Sequence, residues 1–280
     1  MESTIYYFTG TGNSLVLAKN LARILGAQLV SMVSLGSELE VRPKEDVVGL
    51  VFPVYFVYFA DLPLIVSRFA RKLVGIEQAY IFAVANYGGA AGETYQKLGS
   101  IIEERGGHLN SWFGLHMPQN SFRKPWENPI SITRKAESRL VVISEIIRNR
   151  RNGTAFTNHL LSWLMIRLCP TVQKLFRKQL ASLSGVPENQ SPERLIQGSD
   201  RSYKSLDTCT SCGQCVRVCP VDNIELRDGK PFWKGHCENC LACYNWCPVH
   251  AIQGGIVPQG YFYRHPAISV VDIMSQKGFS

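Results

Sequence analysis

Two runs of cysteines with the same spacing lie in the last third of the 280-residue chain. The first is Cys209-x-x-Cys212-x-x-Cys215-x-x-x-Cys219-Pro220, and the second is Cys237-x-x-Cys240-x-x-Cys243-x-x-x-Cys247-Pro248. Thiolates separated by two residues can surround one corner of an iron–sulfur cluster, whereas the fourth cysteine needs a longer reach and a turn, set here by proline. The spacing therefore predicts two iron–sulfur clusters.

Zinc is the alternative ligand, because cysteine pairs two residues apart also bind zinc. A zinc ion needs four ligands, usually from two separate pairs, whereas each run here has three evenly spaced cysteines followed by Cys-Pro. Iron–sulfur clusters are the favoured interpretation. Cys169 lies outside both runs, and we expect it to be a small buried apolar side chain and not a ligand.

The spacing resembles that of the bacterial two-cluster ferredoxins, and this resemblance implies which cysteines share a cluster. In those proteins the fourth cysteine of each run ligates the cluster of the other run. One 4Fe-4S cluster would then be held by Cys209, Cys212, Cys215 and Cys247. The other would be held by Cys237, Cys240, Cys243 and Cys219.

A second candidate site is the loop Thr9-Gly10-Thr11-Gly12-Asn13-Ser14 near the N-terminus. It follows an apolar strand, Ile5–Phe8, and precedes Ser14–Leu25, whose apolar residues have helical spacing. A strand, a tight glycine loop and a helix N-terminus direct N–H groups and hydroxyls at an anion. The loop therefore predicts a phosphate site, and the alternative is an ordinary glycine-rich turn.

The residues of this loop limit the kind of phosphate ligand. The dinucleotide-binding fingerprint requires a third glycine where Leu15 stands, and the Walker loop requires a Gly-Lys-Ser/Thr sequence that the chain lacks. The hydroxyl-rich loop instead resembles the phosphate loop of flavodoxins. That resemblance implies bound FMN, with a monophosphate held by neutral donors.

Strand and helix patterns alternate along the first half of the chain. Further strands are predicted at Gln28–Val33, Val47–Phe52, Ala79–Ala85 and His108–Met117. Further helices are predicted at Leu62–Leu73, Ala90–Arg105 and Ile132–Arg151. We therefore expect an α/β fold with a flavodoxin-like, doubly wound, five-stranded parallel sheet in the order 2-1-3-4-5, plus a small α+β bacterial-type ferredoxin domain.

The loops after the third and fourth strands should meet the phosphate loop at one crevice. The flavodoxin resemblance implies that they hold the flavin ring. Their candidate residues are Pro53, Val54, Tyr55, Phe56, Asn86, Tyr87, Gly88, Gly89 and Gly92. Tyr87 and Tyr55 are the predicted stacking residues, and the alternative is that these aromatics pack the sheet edge.

Composition divides the rest of the chain. We expect a flavodoxin-like domain over 1–152, a helical and linker region over 153–202, the ferredoxin domain over 203–255 and a tail over 256–280 that docks on the larger domain. An amphipathic helix is predicted at Phe156–Leu168, and a linker at Ser182–Ser205. The aromatic residues near the cysteines are expected to shield the clusters: Trp233, Tyr244 and Trp246.

The net charge of +8 is concentrated in residues 120–185, which carry 12 basic and 3 acidic side chains. Three interpretations stay open: a solvated helix face, a docking surface for an acidic redox partner protein, and contact with an anionic membrane surface. No recognised reading motif accompanies the charge, so nucleic acid is disfavoured. The sequence does not indicate an oligomeric state.

Neither a transmembrane segment nor a signal peptide is expected, and reduced cysteines fit the cytoplasm. No acid–base or nucleophilic constellation stands out, so enzymatic activity is left open. The favoured hypothesis is an electron-transfer iron–sulfur flavoprotein. The alternatives are a flavin-dependent reductase of an organic substrate fed by the clusters, and a non-redox module with structural clusters.

Overall fold

The structure, a computed structural model, describes residues 2–57, 59–121, 128–156, 170–257 and 260–278. The chain divides into two compact units. The first contains Met1–Thr9, Asn13–Pro118 and Pro125–Leu168, and the second contains Gly10–Gly12, Gln119–Lys124 and Cys169–Ser280. The domain borders expected from composition stay a prediction.

The first unit is built on a parallel sheet of six strands among the described residues. The strands are β1 Ser3–Tyr7, β2 Gln28–Ser31, β3 Val47–Pro53, β4 Tyr80–Tyr87, β5 Leu109–His116 and β6 Gly153–Ala155. Their order is β2-β1-β3-β4-β5-β6. Every residue of β3 is buried, as expected of a central strand covered on both faces. The first five strands confirm the predicted flavodoxin order.

Helices alternate with these strands, as the sequence predicts. They are α1 Asn13–Leu25, α2 Leu64–Lys72, α3 Thr94–Glu104 and α4 Pro129–Arg148. The start of α4 is fixed by Asn128, whose side chain accepts a hydrogen bond from the Ile130 N–H at 2.9 Å. Leu140, Ile143 and Ile147 then form the buried stripe of α4 at helical spacing.

The strand β6 adds a sixth member to the five-stranded sheet expected from the sequence. Its three residues pair in parallel with Ser111, Trp112 and Phe113 of β5, and Gly153 and Thr154 are exposed. An edge strand this short and this exposed carries no alternating apolar pattern, so hydrophobicity does not reveal it. The helix α4 is therefore the crossover between β5 and β6.

The second unit contains short elements. Its helices are α5 Pro170–Ser184, α6 Pro192–Gly198, α7 Gln214–Arg217, α8 Ala242–Asn245 and α9 Val270–Met274. Two antiparallel strand pairs accompany them: β7 Lys204–Ser205 with β10 Ile252–Gln253, and β8 Ile224–Arg227 with β9 Lys230–Trp233. Such small pieces leave most of the cysteine-bearing backbone in loops.

The predicted linker Ser182–Ser205 contains the helix α6. Ser191 caps this helix by accepting a hydrogen bond from the Arg194 N–H, and Leu195 and Ile196 are buried. Polar composition therefore hid a packed turn of helix. The predicted helix Phe156–Leu168 falls, from residue 157 onward, outside the described residues, and so does Cys169.

Candidate cluster and flavin sites

The first four predicted cluster ligands lie together in the second unit, and we call Cys209, Cys212, Cys215 and Cys247 the outer group. Burial raises the pKa of Cys215 to about 11, and the neighbouring Cys212, Cys247 and Cys209 thiolates also raise it. Cys247 belongs to the second run, so the structure brings it to the cysteines of the first. Cys212 is exposed, whereas Cys247 is buried.

The remaining four cysteines form what we call the inner group: Cys237, Cys240, Cys243 and Cys219. Burial raises the pKa of Cys237 well above its usual value, and Cys240, Cys243 and Cys219 add to this rise. Cys219 comes from the first run. Three of these four side chains are buried, namely Cys219, Cys240 and Cys243. The inner group is thus more shielded from water than the outer group.

The two runs repeat the same backbone geometry. The residues on both sides of the second cysteine have left-handed φ values: 57° and 70° at Ser211 and Gly213, and 51° and 59° at Asn239 and Leu241. These turns bring cysteines spaced by two residues towards a common centre. The third cysteine then lies on a short helix, Cys215 on α7 and Cys243 on α8.

Backbone N–H groups are directed at three of the cysteine sulfurs. Asn223 N donates to Cys219 Sγ at 3.2 Å, and Ala251 N donates to Cys247 Sγ at 3.3 Å. The Asn239 N–H donates to Cys237 Sγ at 3.3 Å. Such hydrogen bonds stabilise thiolates over thiols, and around a cluster they raise its reduction potential.

A single metal ion would need a different arrangement of these side chains. Among the described residues, no three or more His, Cys, Asp and Glu side chains are close enough to hold one ion. Zinc binds cysteine sulfur at about 2.3 Å from a common centre. A four-iron core instead keeps its thiolates apart, at the corners of a larger cube.

The predicted phosphate loop connects β1 to α1, and its last residues belong to the first unit. Asn13 and Ser14, at the start of α1, are buried. The Ser14 hydroxyl donates to Asn86 Oδ1 at 2.6 Å, and Asn13 Nδ2 donates to the Pro118 carbonyl at 3.0 Å. The proton of Ser14 is therefore committed to the end of β4.

The tip of this loop, Gly10–Gly12, belongs to the second unit, where the cysteine-bearing segment packs against it. Trp246 Nε1 donates to the Gly10 carbonyl at 3.0 Å, and a Cβ at Gly10 would lie 2.1 Å from the Cys240 carbonyl oxygen. The His265 N–H donates to the Thr11 carbonyl at 2.9 Å. Sequence reasoning missed these partners, since it assigned Trp246 only to shielding of a cluster.

Thr11 is the loop residue whose hydroxyl has a proton to offer. Asn120 Nδ2 donates to Thr11 Oγ1 at 3.0 Å, so the hydroxyl accepts this bond and its own proton stays available for a further acceptor. Gly12 has φ +103°, which side-chain-bearing residues rarely adopt, and a Cβ there would lie 2.9 Å from His265 Cβ. Both features suit a tight loop that presents donors.

The two predicted flavin-ring loops are joined by a residue that sequence reasoning missed. Asp61 is fully buried; its Oδ2 lies 2.7 Å from Lys97 Nζ, and its Oδ1 accepts from the Glu93 N–H at 3.2 Å. A Cβ at Gly92 would lie 1.9 Å from Asp61 Oδ1. Gly92 thus makes room for this carboxylate, whereas a Cβ at Gly89 would meet nothing within 4 Å.

The other ring-loop candidates lie at the ends of β3 and β4. Pro53 pairs with Asn86 in the sheet, and the Val54 N–H donates to the Asn86 carbonyl at 2.8 Å. Phe56 is buried, with a left-handed φ of 50°. The Gly88 carbonyl lies 3.0 Å from His116 Nε2. The two loops are therefore held in register from the strand ends outward.

The two predicted stacking tyrosines are both partly exposed. The ring of Tyr55 meets Phe8 edge-on with centroids 6.4 Å apart. The Tyr87 hydroxyl donates to the Phe156 carbonyl at 3.4 Å, and burial raises the pKa of Tyr87. Their rings are available at the carboxyl ends of β3 and β4, and the stacking role stays a prediction.

The described part of the chain has no helix that is both long enough and apolar enough to cross a bilayer.

Comparison with known proteins identifies the cysteine-bearing segment. Residues 203–225 match the 4Fe-4S binding domain family. A ferredoxin of Pyrobaculum islandicum is 39% identical over 56 residues, which are 19% of this chain and 51% of that protein. A ferredoxin of Clostridium perfringens is 59% identical over 27 residues, covering 10% and 48%. One subunit of an ion-translocating oxidoreductase complex of Shewanella sediminis is 36% identical over 66 residues, covering 23% and 34%.

The chain spans about half or less of the length of these relatives. Among solved structures, the two-electron reduced flavodoxin of Megasphaera elsdenii is 15% identical with a TM-score of 0.31, covering 50% of this chain and 98% of that chain. A flavodoxin from the domain Archaea is 15% identical with a TM-score of 0.33, covering 53% and 99%. These scores are low, and the strand order itself carries the fold assignment.

Proposed function

We propose that this chain, in which a flavodoxin-like α/β sheet is joined to a 4Fe-4S ferredoxin segment, relays single electrons between two 4Fe-4S clusters and an FMN. Iron–sulfur binding and electron transfer follow from the matched segment. The second cluster, the FMN and the direction of flow are the proposed parts. When bound, each cluster moves one electron, and the flavin holds up to two.

The ligand sets proposed for the two clusters are the outer and inner groups. Each set takes three cysteines from one run and the fourth from the other, as the shared effects on the pKa of Cys215 and Cys237 support. The backbone N–H bonds to Cys219 and Cys247 favour the deprotonated sulfur that iron requires. These residues would orient the clusters and restrict the access of water.

The FMN is proposed to bind at the phosphate loop and the two ring loops. The N-terminus of α1 and the available proton of Thr11 suit a phosphate, and the partly exposed rings of Tyr55 and Tyr87 suit an apolar ring system. Asp61 would act indirectly, because it fixes the loop after β3 against residues Glu93 and Lys97.

One observation carries the proposal most directly. Within the second unit, the loop tip contacts the inner group through Cys240 and the outer group's neighbour Trp246, with the Trp246 Nε1 to Gly10 carbonyl distance at 3.0 Å. A phosphate loop packed against cluster ligands favours electron exchange, since a short gap between carriers speeds transfer. It does not suit clusters that only stabilise a fold.

A cytoplasmic location stays a prediction, which rests on the need of thiolate ligation for reduced cysteines. An acidic redox partner protein is likewise proposed from the basic residues of 120–185.

Anaerobic reconstitution with iron, sulfide and FMN, followed by metal, sulfide and flavin analysis, tests this function. The proposal expects about eight irons and about one FMN per chain. Retention of clusters without FMN, or clusters that cannot be reduced, would favour the non-redox module. Rapid turnover of an organic electron acceptor at the flavin, faster than that of a protein acceptor, would favour the reductase.

A further inference from the structure

Two buried hydrogen-bond donors lie in the second unit without an acceptor. They are the hydroxyl of Tyr203 and the indole N–H of Trp233, and neither atom has a hydrogen-bond partner among the described residues. The two rings stack with centroids 5.4 Å apart and an interplanar angle of 18°. Buried donors are normally satisfied, so a pair of orphans at one place indicates a missing acceptor.

Both donors lie at the inner group. Burial raises the pKa of Tyr203 well above its usual value, and Cys237, Cys243 and Cys240 contribute to this rise, so the hydroxyl is near all three sulfurs. The Trp233 N–H lowers the pKa of the Cys243 thiol, against a larger rise caused by burial, although it does not reach hydrogen-bond geometry with this sulfur.

The backbone leaves room for the Tyr203 hydroxyl. A Cβ on Gly255 would lie 2.4 Å from the hydroxyl oxygen, and the φ of Gly255 is +70°. The hydroxyl is therefore enclosed by residues of the second unit and cannot turn to solvent, since Tyr203 is buried. What is needed is an acceptor between the tyrosine, the indole and the sulfurs of the inner group.

We propose that Tyr203 and Trp233 donate hydrogen bonds to sulfur atoms of the 4Fe-4S cluster held by the inner group and thereby raise its reduction potential. This inference rests on the proposed function, which supplies that cluster. Thiolate and bridging sulfides are the nearest acceptors that would satisfy both donors. The reduced cluster carries one more negative charge, so donors stabilise it more than the oxidised cluster.

The consequence is a balance between two opposing effects on one cluster. Burial of three of its ligands disfavours the added negative charge and lowers the potential of the inner cluster. The two donors oppose this effect. The outer cluster, with exposed Cys212, keeps its potential by contact with water instead. The two clusters can then exchange electrons even though one is buried and the other is not.

The test uses the reconstituted full-length chain with Tyr203→Phe and Trp233→Phe, compared with Tyr80→Phe and Trp112→Phe of the first unit. Iron and sulfide content is measured first, and an EPR-monitored redox titration follows. At a fixed potential, each of the first two variants should lower the reduced-to-oxidised ratio of one cluster by about three- to tenfold. Each should also lose one exchangeable proton coupling from the spectrum of that cluster.

The outcomes separate this inference from the proposed function. Unchanged midpoints and couplings in both variants would overturn the donor role while leaving the clusters in place. A variant that loses its iron would also count against it, because that result assigns the side chain to folding. An unsubstituted chain that binds no second cluster would instead overturn the proposed function.

Discussion

The indole N–H of Trp246 donates a hydrogen bond to the backbone carbonyl of Gly10, at 3.0 Å and across 236 positions of sequence. Trp246 immediately precedes Cys247, a proposed ligand of the outer cluster, and Gly10 lies in the proposed phosphate loop. Within the second unit, this bond connects the two kinds of candidate site. It gives the loop glycines a role in packing as well as in phosphate binding.

Gly10→Ala should destabilise the chain. The added Cβ would lie 2.1 Å from the Cys240 carbonyl oxygen, so the backbone of one segment must move, at a cost of about 1–3 kcal/mol. Chemical denaturation of the reconstituted protein measures this change. Gly99→Ala is the matched control, because a Cβ there meets nothing within 4 Å and the helix should gain up to about 1 kcal/mol. Equal effects of the two variants would contradict the packing role.

Asp61→Asn should loosen the two proposed flavin-ring loops. The substitution removes the charge that faces Lys97 Nζ at 2.7 Å, and the lysine side chain is 37% exposed, so the cost is only about 1–3 kcal/mol. We expect weaker FMN binding by fluorescence titration as well. Glu104→Gln, in the exposed pair with Arg71, should cost no more than about 0.5 kcal/mol. Unchanged FMN affinity in Asp61→Asn would separate this ion pair from the flavin site.

Cys219→Ser should remove the inner cluster and leave the outer one. The reason is the crossed arrangement, in which Cys219 lies with Cys237, Cys240 and Cys243. Cys247→Ser should have the opposite effect, since this residue lies with the first run. EPR spin counts and iron analysis distinguish the two cases, with Cys169→Ser as a control outside both runs. Loss of the outer cluster in Cys219→Ser would show that each run binds its own cluster.

His265 should make the protein sensitive to acid. Burial lowers the pKa of His265 in the folded state, so the unfolded chain binds a proton more readily. Its contribution to stability is then complete above the unfolded pKa of about 6.5 and is lost as the pH falls below it. His265→Gln should flatten the stability profile below this pH, whereas His108→Gln at an exposed position should not. A steep acid loss that survives His265→Gln would assign it to other groups.

The sequence was sufficient where a local pattern determines the structure. Buried apolar runs such as Val47–Phe52 predicted the strands, and the flavodoxin order followed from their alternation with helices. Cysteine spacing likewise predicted which thiols lie together, including Cys219 with the second run. These features depend on residues that are near one another in the chain.

The features that were missed depend on distant partners. Asp61 is one carboxylate after an aromatic stretch, and nothing local indicates that Lys97 and Gly92 enclose it. The glycines of the loop tip were interpreted as phosphate-binding residues, whereas Cys240 and His265 also require them. Strand β6 is too short and too exposed to produce a pattern.

The most direct test of the central claim follows electrons from the clusters to the flavin. Reconstituted, FMN-free protein is reduced anaerobically, freed of excess reductant and mixed with one equivalent of FMN, while absorbance and EPR are recorded. We predict that about one flavin per chain is reduced as about two cluster electrons are lost, at a rate that does not depend on protein concentration once FMN is bound. Cluster-free protein should leave the flavin oxidised. Clusters that stay reduced beside bound, oxidised FMN would contradict the account.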